Sequence, residues 1–365
     1  MDGKKISKEL LAWYDANKRE LPWRHAPEPY GVWISEIMAQ QTQMERVVQY
    51  WKRWMERYPD LTTLAGASEE EVLKSWEGLG YYSRARNIRK AAALIMDAHN
   101  GVFPNSFEEI RSLPGIGEYT AGAISSIALG IAEPAIDANV LRVFSRLLNI
   151  SMPMKEKIAR EQVESAVRNM LPADRPGDFN QALMEFGALI CGKRPHCSGC
   201  PVQFQCQAYA EGVTAERPVL PPKKSIIKIE MATGVFEHNG KMLIQKRKPD
   251  DVWPGLWEFP GGVIEEGETP EQALAREYSE EVELDVVCGE KITVISYAYT
   301  RYRVTMHCYL CRSVNEGPPE PVFNEAVEGG FVLPSTLSDY AFPAGHRRLV
   351  EFMRKDMRFA DRFLI

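Results

Sequence analysis

Three prolines in the ten-residue stretch ERPVLPPKKS (216–225) separate two parts of the chain that follow different hydrophobic periods. Proline fixes φ and removes a backbone donor, so a cluster of prolines interrupts regular structure and indicates a linker. Before it, apolar residues recur at helical spacing and no stretch shows the alternation of a convincing strand. Beyond it, IKIEMATGVFEHNGKMLIQKR predicts two strands around a His-Asn-Gly turn, and KITVISYAYTRYRVTMHCYLC predicts a second strand pair.

These patterns predict a multidomain fold. An all-α domain is expected over residues 1–212, a linker over 213–228, and an α+β domain over 229–365. In the α+β domain one helix should lie between the strand pairs and another at the end. The length of 365 residues fits this division, since one hydrophobic core rarely serves more than about 250–300 residues.

The acidity of the chain is concentrated in one stretch. The net charge is −6, yet residues 1–212 hold 25 basic and 26 acidic side chains, and residues 251–290 hold 1 basic and 12 acidic ones. The first domain is therefore free to present a basic face to nucleic acid.

No apolar run reaches the roughly 18 residues of a membrane helix, and the N-terminus lacks the apolar core of a signal peptide. We expect a cytoplasmic, monomeric protein with no membrane partner.

The stretch LPGIGEYTAG (113–122) lies between two helical segments and carries Gly115 and Gly117 around Ile116. Glycines permit a tight turn whose backbone N–H groups approach a phosphate, and the following helix offers its N-terminus to an anion. The stretch predicts the hairpin of a helix-hairpin-helix motif. The alternative is an ordinary glycine-rich turn between helices.

Two further patterns point to chemistry. In AIDANVLRVFSRLL, Asp137 precedes a long helix, where an N-cap aspartate is common and is also a fixed negative charge able to stabilise a sugar cation.

Four cysteines fall within CGKRPHCSGCPVQFQC, namely Cys191, Cys197, Cys200 and Cys206. In a cytosolic chain this density indicates metal ligation more than disulfides, and four thiolates suit either a 4Fe–4S cluster or structural zinc.

The order of LPGIGEYTAG, AIDANVLRV and the four cysteines resembles the endonuclease III superfamily of DNA glycosylases. Within it, LPWRHAPEPYGVWISEIMAQQTQ, WEGLGYYSRARN and DFNQALMEFGALIC are similar to the MutY-type adenine DNA glycosylases. The resemblance covers residues 1–212 nearly continuously and returns in the second domain. It implies a six-helix-barrel part over about 21–130 and an iron–sulfur part over 1–20 and 131–212.

The resemblance implies an enzyme that flips adenine out of double-stranded DNA, where it pairs with 8-oxoguanine or G, and hydrolyses its N-glycosidic bond. Glu36, in WISEIM, is flanked by apolar residues that should raise its pKa, and it is the expected general acid. Asp137 is expected to stabilise the sugar cation, and Asn139 is a further catalytic candidate. Tyr119 stands where strand-cutting members carry a Schiff-base lysine, so a monofunctional enzyme is expected.

The same resemblance assigns binding residues by position. The expected adenine pocket consists of Arg24, Trp33, Gln181 and Glu185. The expected DNA contacts are Gln40, Gln41, Thr42, Gln43, Tyr82, Arg84, Arg86, Gly115 and Gly117. Gln41 and Tyr82 match the wedge and gap-filling positions, and a solvated helix face is the alternative for the basic run that contains Arg84 and Arg86. For the four cysteines the resemblance favours the 4Fe–4S cluster, although the first gap is one residue shorter than in the family.

The acidic stretch GGVIEEGETPEQALAREYSEEVEL (261–284) fits the Nudix pattern, with Glu283 where that pattern has a glycine. Glu277, Glu280 and Glu281 are spaced to share one helix face, so they predict a Mg²⁺ site. A solvated acidic helix is the alternative, although it leaves the preceding glycine-containing loop unexplained.

In MutY-type enzymes a Nudix-like domain usually reads 8-oxoguanine. Here YAYTRY, with Tyr299, Thr300 and Arg301, occupies the lesion-reading stretch, and Tyr297 and Arg301 stand where histidines are usual. Two other functions compete with adenine excision. One is Nudix-type hydrolysis of nucleotides such as 8-oxo-dGTP, as a second or main activity. The other is noncatalytic lesion binding, which the presence of Glu36 and Asp137 disfavours.

Overall fold

The protein is described by a computed structural model that covers residues 2–222 and 225–363. The chain divides into two compact units. The first, which we call the helical unit, consists of residues 1–67 and 86–222. No helix in the described part of the chain is both long and apolar enough to cross a membrane.

The helical unit contains no strand among its described residues, as predicted. One helix, Ser83–Ala98, starts before the unit boundary and runs into this unit. The helices are α1 (Gly3–Asn17), α2 (Pro29–Ala39), α3 (Met44–Arg57), α4 (Leu61–Gly66), α6 (Ser83–Ala98), α7 (Phe107–Ser112), α8 (Glu118–Leu129), α9 (Ala138–Leu147), α10 (Lys157–Met170), α11 (Pro176–Leu189) and α12 (Gln207–Ala210). Helices α1, α9, α10 and α11 share an apolar core that includes Leu10, Phe144, Val163 and Phe179. Helix α8, apolar on all sides in sequence, is buried over most of its length, as expected of such a helix.

The predicted hairpin joins α7 to α8. Gly115 has φ +78°, and a Cβ atom there would lie 2.5 Å from Cβ of Asn87 on α6. Both the backbone conformation and the close approach therefore require glycine. Helix α8 begins directly after Gly117, so its unpaired N–H groups follow the turn as the motif requires.

The second unit, which we call the C-terminal unit, consists of residues 68–85 and 223–365. Its strands and helices are α5 (Glu69–Trp76), β1 (Ile227–His238), β2 (Lys241–Arg247), β3 (Trp257–Glu258), α13 (Pro270–Val282), β4 (Val286–Tyr299), β5 (Tyr302–Ser313), β6 (Ala326–Val332) and α14 (Ala344–Lys355). The strand order is β3-β2-β1-β5-β4, with β6 on β2, and only β1 and β5 pair in parallel.

The sheet of the C-terminal unit is covered by one helix on each face. Neighbouring strand residues point to opposite sides, so Phe236 packs in the cluster that contains α13 and Val235 in the one that contains α14. The predicted turn between β1 and β2 is confirmed, with φ +49° at Asn239 and +74° at Gly240, the two positive values of a type I′ hairpin. Strands β3 and β6 were not predicted, because neither has a strong alternating pattern.

The segment that contains α5 groups with the C-terminal unit, although its sequence lies inside the stretch predicted as the all-α domain. Polar contacts explain the grouping. Glu70 accepts a hydrogen bond of 2.7 Å from Nζ of Lys246, and Glu77 accepts one of 2.9 Å from the backbone N–H of Phe342. Contacts between residues so far apart in sequence leave no trace in hydrophobic periodicity.

Candidate active site

Glu36 lies on α2 with its side chain turned into the protein, and the residue is 8% exposed. The hydroxyl of Tyr119 donates a hydrogen bond to its carboxylate. Burial raises the pKa of Glu36 to about 7, while the Tyr119 hydrogen bond lowers it, the charge of Asp137 raises it and that of Arg24 lowers it. A carboxyl with this pKa is available both as an acid and as a base near neutral pH.

Asp137 is the N-cap of α9, as its position in the sequence indicated. Its carboxylate accepts hydrogen bonds from the backbone N–H of Val140 (2.7 Å) and from Nδ2 of Asn139 (2.6 Å). Burial raises the pKa of Asp137 above its ordinary value, although those hydrogen bonds and the charge of Arg142 oppose the shift. The two carboxyl groups of the site thus differ in environment, since Asp137 accepts hydrogen bonds from a helix N-terminus and an amide whereas Glu36 accepts one from a phenol.

Tyr119 lies in the first turn of α8, immediately after the hairpin. Besides its bond to Glu36, its hydroxyl is 3.3 Å from Sδ of Met184 on α11. Burial and the nearby carboxylates raise the pKa of Tyr119 well above its ordinary value. The phenol therefore stays neutral and acts as a donor to Glu36.

The residues predicted for the adenine pocket form one polar network with Arg24 at its centre. Nε of Arg24 donates to Gln181 (2.8 Å) and Nη2 to Glu185 (2.8 Å), two residues one turn apart on α11. Trp33 is fully buried against Tyr30 and Phe103, and its indole N–H has no hydrogen-bond acceptor among the described residues. A base reaching Trp33 would have to displace these neighbours.

A cavity of about 270 Å³ opens beside Tyr119. It is lined by residues of the helical unit that include Phe107, Pro134, Ile136 and Leu141. None of the four predicted adenine-pocket residues contributes to its wall.

Sequence reasoning missed three arginines of the site. Arg19 forms two hydrogen bonds of 3.2 Å and 2.9 Å from Nε to Glu185. Arg142 donates to Oδ1 of Asn139 (2.8 Å) and to the carbonyl of Cys191 (2.9 Å), so it links the catalytic residues to the cysteine loop. Arg146, one turn further on α9, is buried despite its charge. The signal for Arg142 and Arg146 was their spacing of four residues on the mainly apolar helix α9, and Arg19 had no such signal.

The predicted DNA contacts of the helical unit lie mostly at its surface. Residues 40–43 connect α2 to α3, and Gln41 is exposed with φ +60°, a conformation that is uncommon outside glycine. Gly115 and Gly117 are exposed in the hairpin, while Arg86 is half-buried on α6.

Two predicted DNA contacts, Tyr82 and Arg84, lie in the C-terminal unit and have other partners. Tyr82 is 6% exposed, and its hydroxyl donates to the carbonyl of Phe342 (3.1 Å). Nη2 of Arg84 donates to the carbonyls of Leu79 (2.9 Å) and Gly80 (3.0 Å). The neighbouring tyrosine, Tyr81, is partly exposed, which makes it the better-placed aromatic of this stretch for contact with DNA.

The four cysteines line one cavity together with Arg146. Nη1 of Arg146 lies 3.3 Å from Sγ of Cys191, and Sγ of Cys206 donates to the carbonyl of Arg146 (3.4 Å). Within residues 2–222 and 225–363, no three His, Cys, Asp or Glu side chains are placed to hold a single metal ion. The four cysteine side chains face one common space.

The predicted lesion-reading residues lie at the tip of the β4–β5 hairpin. Tyr299 pairs with Tyr302, so Thr300 and Arg301 form a two-residue loop, with φ +50° at Thr300. Tyr299 has a ring contact with Tyr81. Tyr297 is half-buried below the tip.

The acidic helix α13 carries its charges as predicted, and an arginine of the same helix pairs with several of the carboxylates. Arg276 pairs with Glu268 (2.8 Å), Glu277 (2.9 Å) and Glu280 (3.1 Å). Glu281 is buried, accepts from Nε2 of Gln245 (3.0 Å) and the backbone N–H of Gly261 (3.0 Å), and has a pKa raised to about 8 chiefly by burial. The expected Mg²⁺ site finds no support in this arrangement, since no such metal-holding group exists among the described residues.

Two details of the Nudix pattern fit the structure. A Cβ atom at Gly262 would lie 2.2 Å from Oε1 of Glu277, so the loop packs directly on the acidic helix. Glu283 adopts the left-handed conformation, φ +52°, in which helices usually end on glycine.

A buried acid beside a capped aspartate, next to a hairpin that opens a helix, defines a base-excision DNA glycosylase fold and site. Residues 34–169 match the HhH-GPD superfamily of base excision DNA repair proteins, and residues 231–352 match the NUDIX domain. The solved structure of a non-covalent endonuclease III–DNA complex superposes with a TM-score of 0.50 at 25% identity, covering 58% of this chain and 98% of that one.

The chain belongs to the adenine DNA glycosylase family. It is 36% identical over 257 residues to the adenine DNA glycosylase of Buchnera aphidicola from Acyrthosiphon pisum, a match that covers 70% of this chain and 73% of the relative. It is 38% identical over 305 residues to that of Arabidopsis thaliana, covering 72% of this chain and 48% of the relative. The chain thus spans about half the length of the plant protein.

Proposed function

We propose that the protein removes adenine from double-stranded DNA in which the adenine is paired with 8-oxoguanine or G. The observation that carries the proposal is the buried Glu36 carboxyl, with a pKa of about 7, beside the capped Asp137. The matched relatives are named adenine DNA glycosylases, which supports adenine as the base removed. Free adenine released from a duplex with one such pair, measured chromatographically, is the direct test.

The two carboxyl groups divide the work of breaking the N-glycosidic bond. Protonated Glu36 gives its proton to the adenine, so that the base leaves as a neutral molecule. The sugar becomes cationic as the bond breaks, and the Asp137 carboxylate stabilises that charge. Deprotonated Glu36 then accepts a proton from the attacking water. Tyr119 offers no amine for a Schiff base, so strand cleavage by that route is not expected.

Binding of DNA rests on backbone and polar groups of the helical unit. The exposed Gly115–Gly117 hairpin and the N-terminus of α8 present N–H groups to a phosphate. The exposed Gln41, at positive φ between α2 and α3, offers a polar side chain at the surface of the unit. Such a residue suits insertion at the position that a flipped base leaves.

The pKa of Glu36 predicts how activity depends on pH. The acid form is required and its pKa is about 7, so kcat/KM for adenine release should fall about tenfold per unit as pH rises above that value. Tyr119→Phe removes a hydrogen bond that favours the charged carboxylate, so it should move the falling limb to higher pH by about one unit.

The measurement is the pH profile of kcat/KM for the parent and the Tyr119→Phe variant on the same duplex. Tyr58→Phe, which changes a buried phenol directly after α3, is the control and should leave the limb in place. A limb unmoved in Tyr119→Phe would show that Glu36 is not the group titrating.

For the four cysteines, which line one common cavity, we propose a 4Fe–4S cluster rather than structural zinc. Four thiolates suit either group, and the resemblance of their spacing to that of the endonuclease III superfamily favours the cluster. The cluster would be held by Cys191, Cys197, Cys200 and Cys206, and it would keep the two ends of their loop together.

Cys200→Ser should abolish the visible iron–sulfur absorbance and the bound iron and sulfide. It should also lower the Tm, because no cluster then holds the ends of the loop together. Cys288→Ser, in the C-terminal unit, is the matched control and should retain full iron content. A protein that carries stoichiometric zinc and no iron would refute the cluster.

A further inference from the structure

Two cysteines of the C-terminal unit face each other across neighbouring strands. Cys288 on β4 is the direct partner of Cys311 on β5 in the antiparallel register. Both side chains lie on the α13 side of the sheet, where Cys311 is buried and Cys288 is half-buried at the edge of the same apolar cluster. Direct partners have Cα atoms about 4.5–5.5 Å apart, within the roughly 4.4–6.8 Å that a disulfide spans. The register therefore suits a bond between the two sulfurs.

The backbone around Cys288 permits the small shift that such a bond needs. The sheet order ends at β4, so this strand has a partner on one side only. Regular pairing also stops directly after the cysteine pair, because the register shifts between Cys288 and Lys291, where Gly289 and Glu290 are exposed. An irregularity of this kind leaves residues unpaired and lets a strand bend. Strand β4 can therefore approach β5 at Cys288 without disturbing the other strands.

The two thiols differ in their chemistry. Cys311 donates a hydrogen bond to the sulfur of Cys288, and this bond lowers the pKa of Cys288 and raises that of Cys311. Burial opposes the shift at Cys288 and adds to the shift at Cys311. The thiolate is the reactive form of cysteine, and an oxidant reaches a partly exposed one first. Cys288 thus has the properties of an attacking sulfur, and Cys311 has those of the thiol that resolves its oxidised form.

A third cysteine, Cys308, shows what a cysteine used for packing looks like in the same strand. It is buried in the cluster on the opposite face of the sheet, and its cross-strand partner is Thr293. Burial raises its pKa to about 12, so its thiol stays protonated and unreactive. Cys288 differs in each respect, since it is partly accessible, lies on the edge strand and has a thiol as its partner.

We propose that Cys288 and Cys311 form a modification site, which hydrogen peroxide oxidises to an intramolecular disulfide. The Cys288 thiolate attacks one peroxide oxygen, the O–O bond breaks and hydroxide leaves, so that the sulfur loses two electrons and becomes a sulfenic acid. The Cys311 thiol then attacks that sulfur. The S–S bond forms, and the proton of Cys311 leaves with the displaced hydroxyl as water. A dithiol reductant returns both cysteines to thiols.

The test treats the reduced full chain with hydrogen peroxide and blocks the remaining thiols with N-ethylmaleimide after unfolding in guanidinium. Tryptic peptides of the monomer band from a non-reducing gel are then mapped by mass spectrometry. Cys288 lies in the peptide of residues 277–291, and Cys311 lies with Cys308 in that of residues 304–312. The parent should yield these two peptides joined, with two hydrogens lost, and dithiothreitol should separate them. Cys308→Ala should form the same link, which identifies Cys311 as the bonded residue.

Cys288→Ala is the matched variant, because it removes the attacking sulfur and leaves Cys311 in place. After peroxide it should give no joined peptide, and its Cys311 should carry N-ethylmaleimide. Amide hydrogen exchange in β4 should slow by roughly tenfold or more in the oxidised parent and stay unchanged in the variant, because a disulfide restricts local opening of the hairpin. Cys288→Ser, which is closer in size, takes its place if the alanine variant does not fold.

Two results would overturn the inference. One is a peroxide-treated parent in which Cys311 is still free, whether Cys288 is unchanged or carries only a sulfenic or sulfinic acid. The other is a link that Cys308→Ala abolishes, because the bond would then involve Cys308 on the opposite face of the sheet.

Discussion

Glu36→Gln should reduce the single-turnover rate of adenine release by roughly 10²–10⁴-fold, the range that one general acid contributes. Glutamine keeps the size and the acceptor for the Tyr119 hydroxyl, but it has no acidic proton for the base. The measurement is rapid-quench release of adenine from a duplex with adenine opposite 8-oxoguanine, with enzyme in excess.

Protein stability provides the control for this variant. The folded-state pKa of Glu36, about 7, lies above its ordinary value of 4.5. Folding therefore disfavours the ionised form of Glu36. The free energy of unfolding is highest at low pH, where Glu36 is protonated in both states, and it falls as pH rises from 4.5 to about 7. Glu36→Gln should accordingly raise the Tm at pH 8, so that lost activity cannot be attributed to unfolding.

Undiminished adenine release by Glu36→Gln would refute the role of Glu36. A different outcome separates the competing function. If the parent released no adenine but hydrolysed 8-oxo-dGTP with Mg²⁺, and Glu281→Gln abolished that hydrolysis, the C-terminal unit would be the enzyme. No three carboxylates among residues 2–222 and 225–363 are placed to hold one metal ion, which makes hydrolysis the less supported alternative.

Asp137→Asn should slow adenine release by roughly 10²–10³-fold, because the neutral amide no longer stabilises the sugar cation. Asparagine caps helices about as well as aspartate and retains an acceptor for the backbone N–H of Val140. Asp137→Ala loses both the charge and the cap, at a cost of about 1 kcal/mol of stability. The pair of variants therefore separates catalysis from capping.

Asp60→Ala is the matched control for the cap. Asp60 caps α4 through a 2.7 Å hydrogen bond from the backbone N–H of Thr63 and has no catalytic neighbour assigned to it. Its loss should lower stability and leave adenine release unchanged. If activity followed the cap rather than the charge, Asp137→Asn would remain active and only the alanine variant would be slow.

Much of the site was predictable because its signals are local. The hairpin glycines, the N-cap at Asp137 and the acidic spacing on α13 depend on residues a few positions apart. The apolar neighbours of Glu36 predicted the direction of its pKa shift, which the structure confirms. Local patterns did not reveal that Tyr82 is buried. Its hydroxyl donates to the carbonyl of Phe342, 260 residues away, whereas its neighbour Tyr81 is partly exposed.

The sequence by itself determined the two-domain plan, the helical hairpin, the family and the pair of carboxyl groups. Hydrophobic periodicity, helix capping and motif spacing all depend on residues that lie close together in the sequence. Only the tertiary structure decided how strongly Glu36 is desolvated, that Arg276 pairs with Glu268 in the preceding loop, and that Trp253 is held in a strained conformation, with φ +61°. Burial, charge balance and strain depend on contacts such as Tyr119 with Glu36, 83 residues apart, and such contacts exist only once the chain has folded.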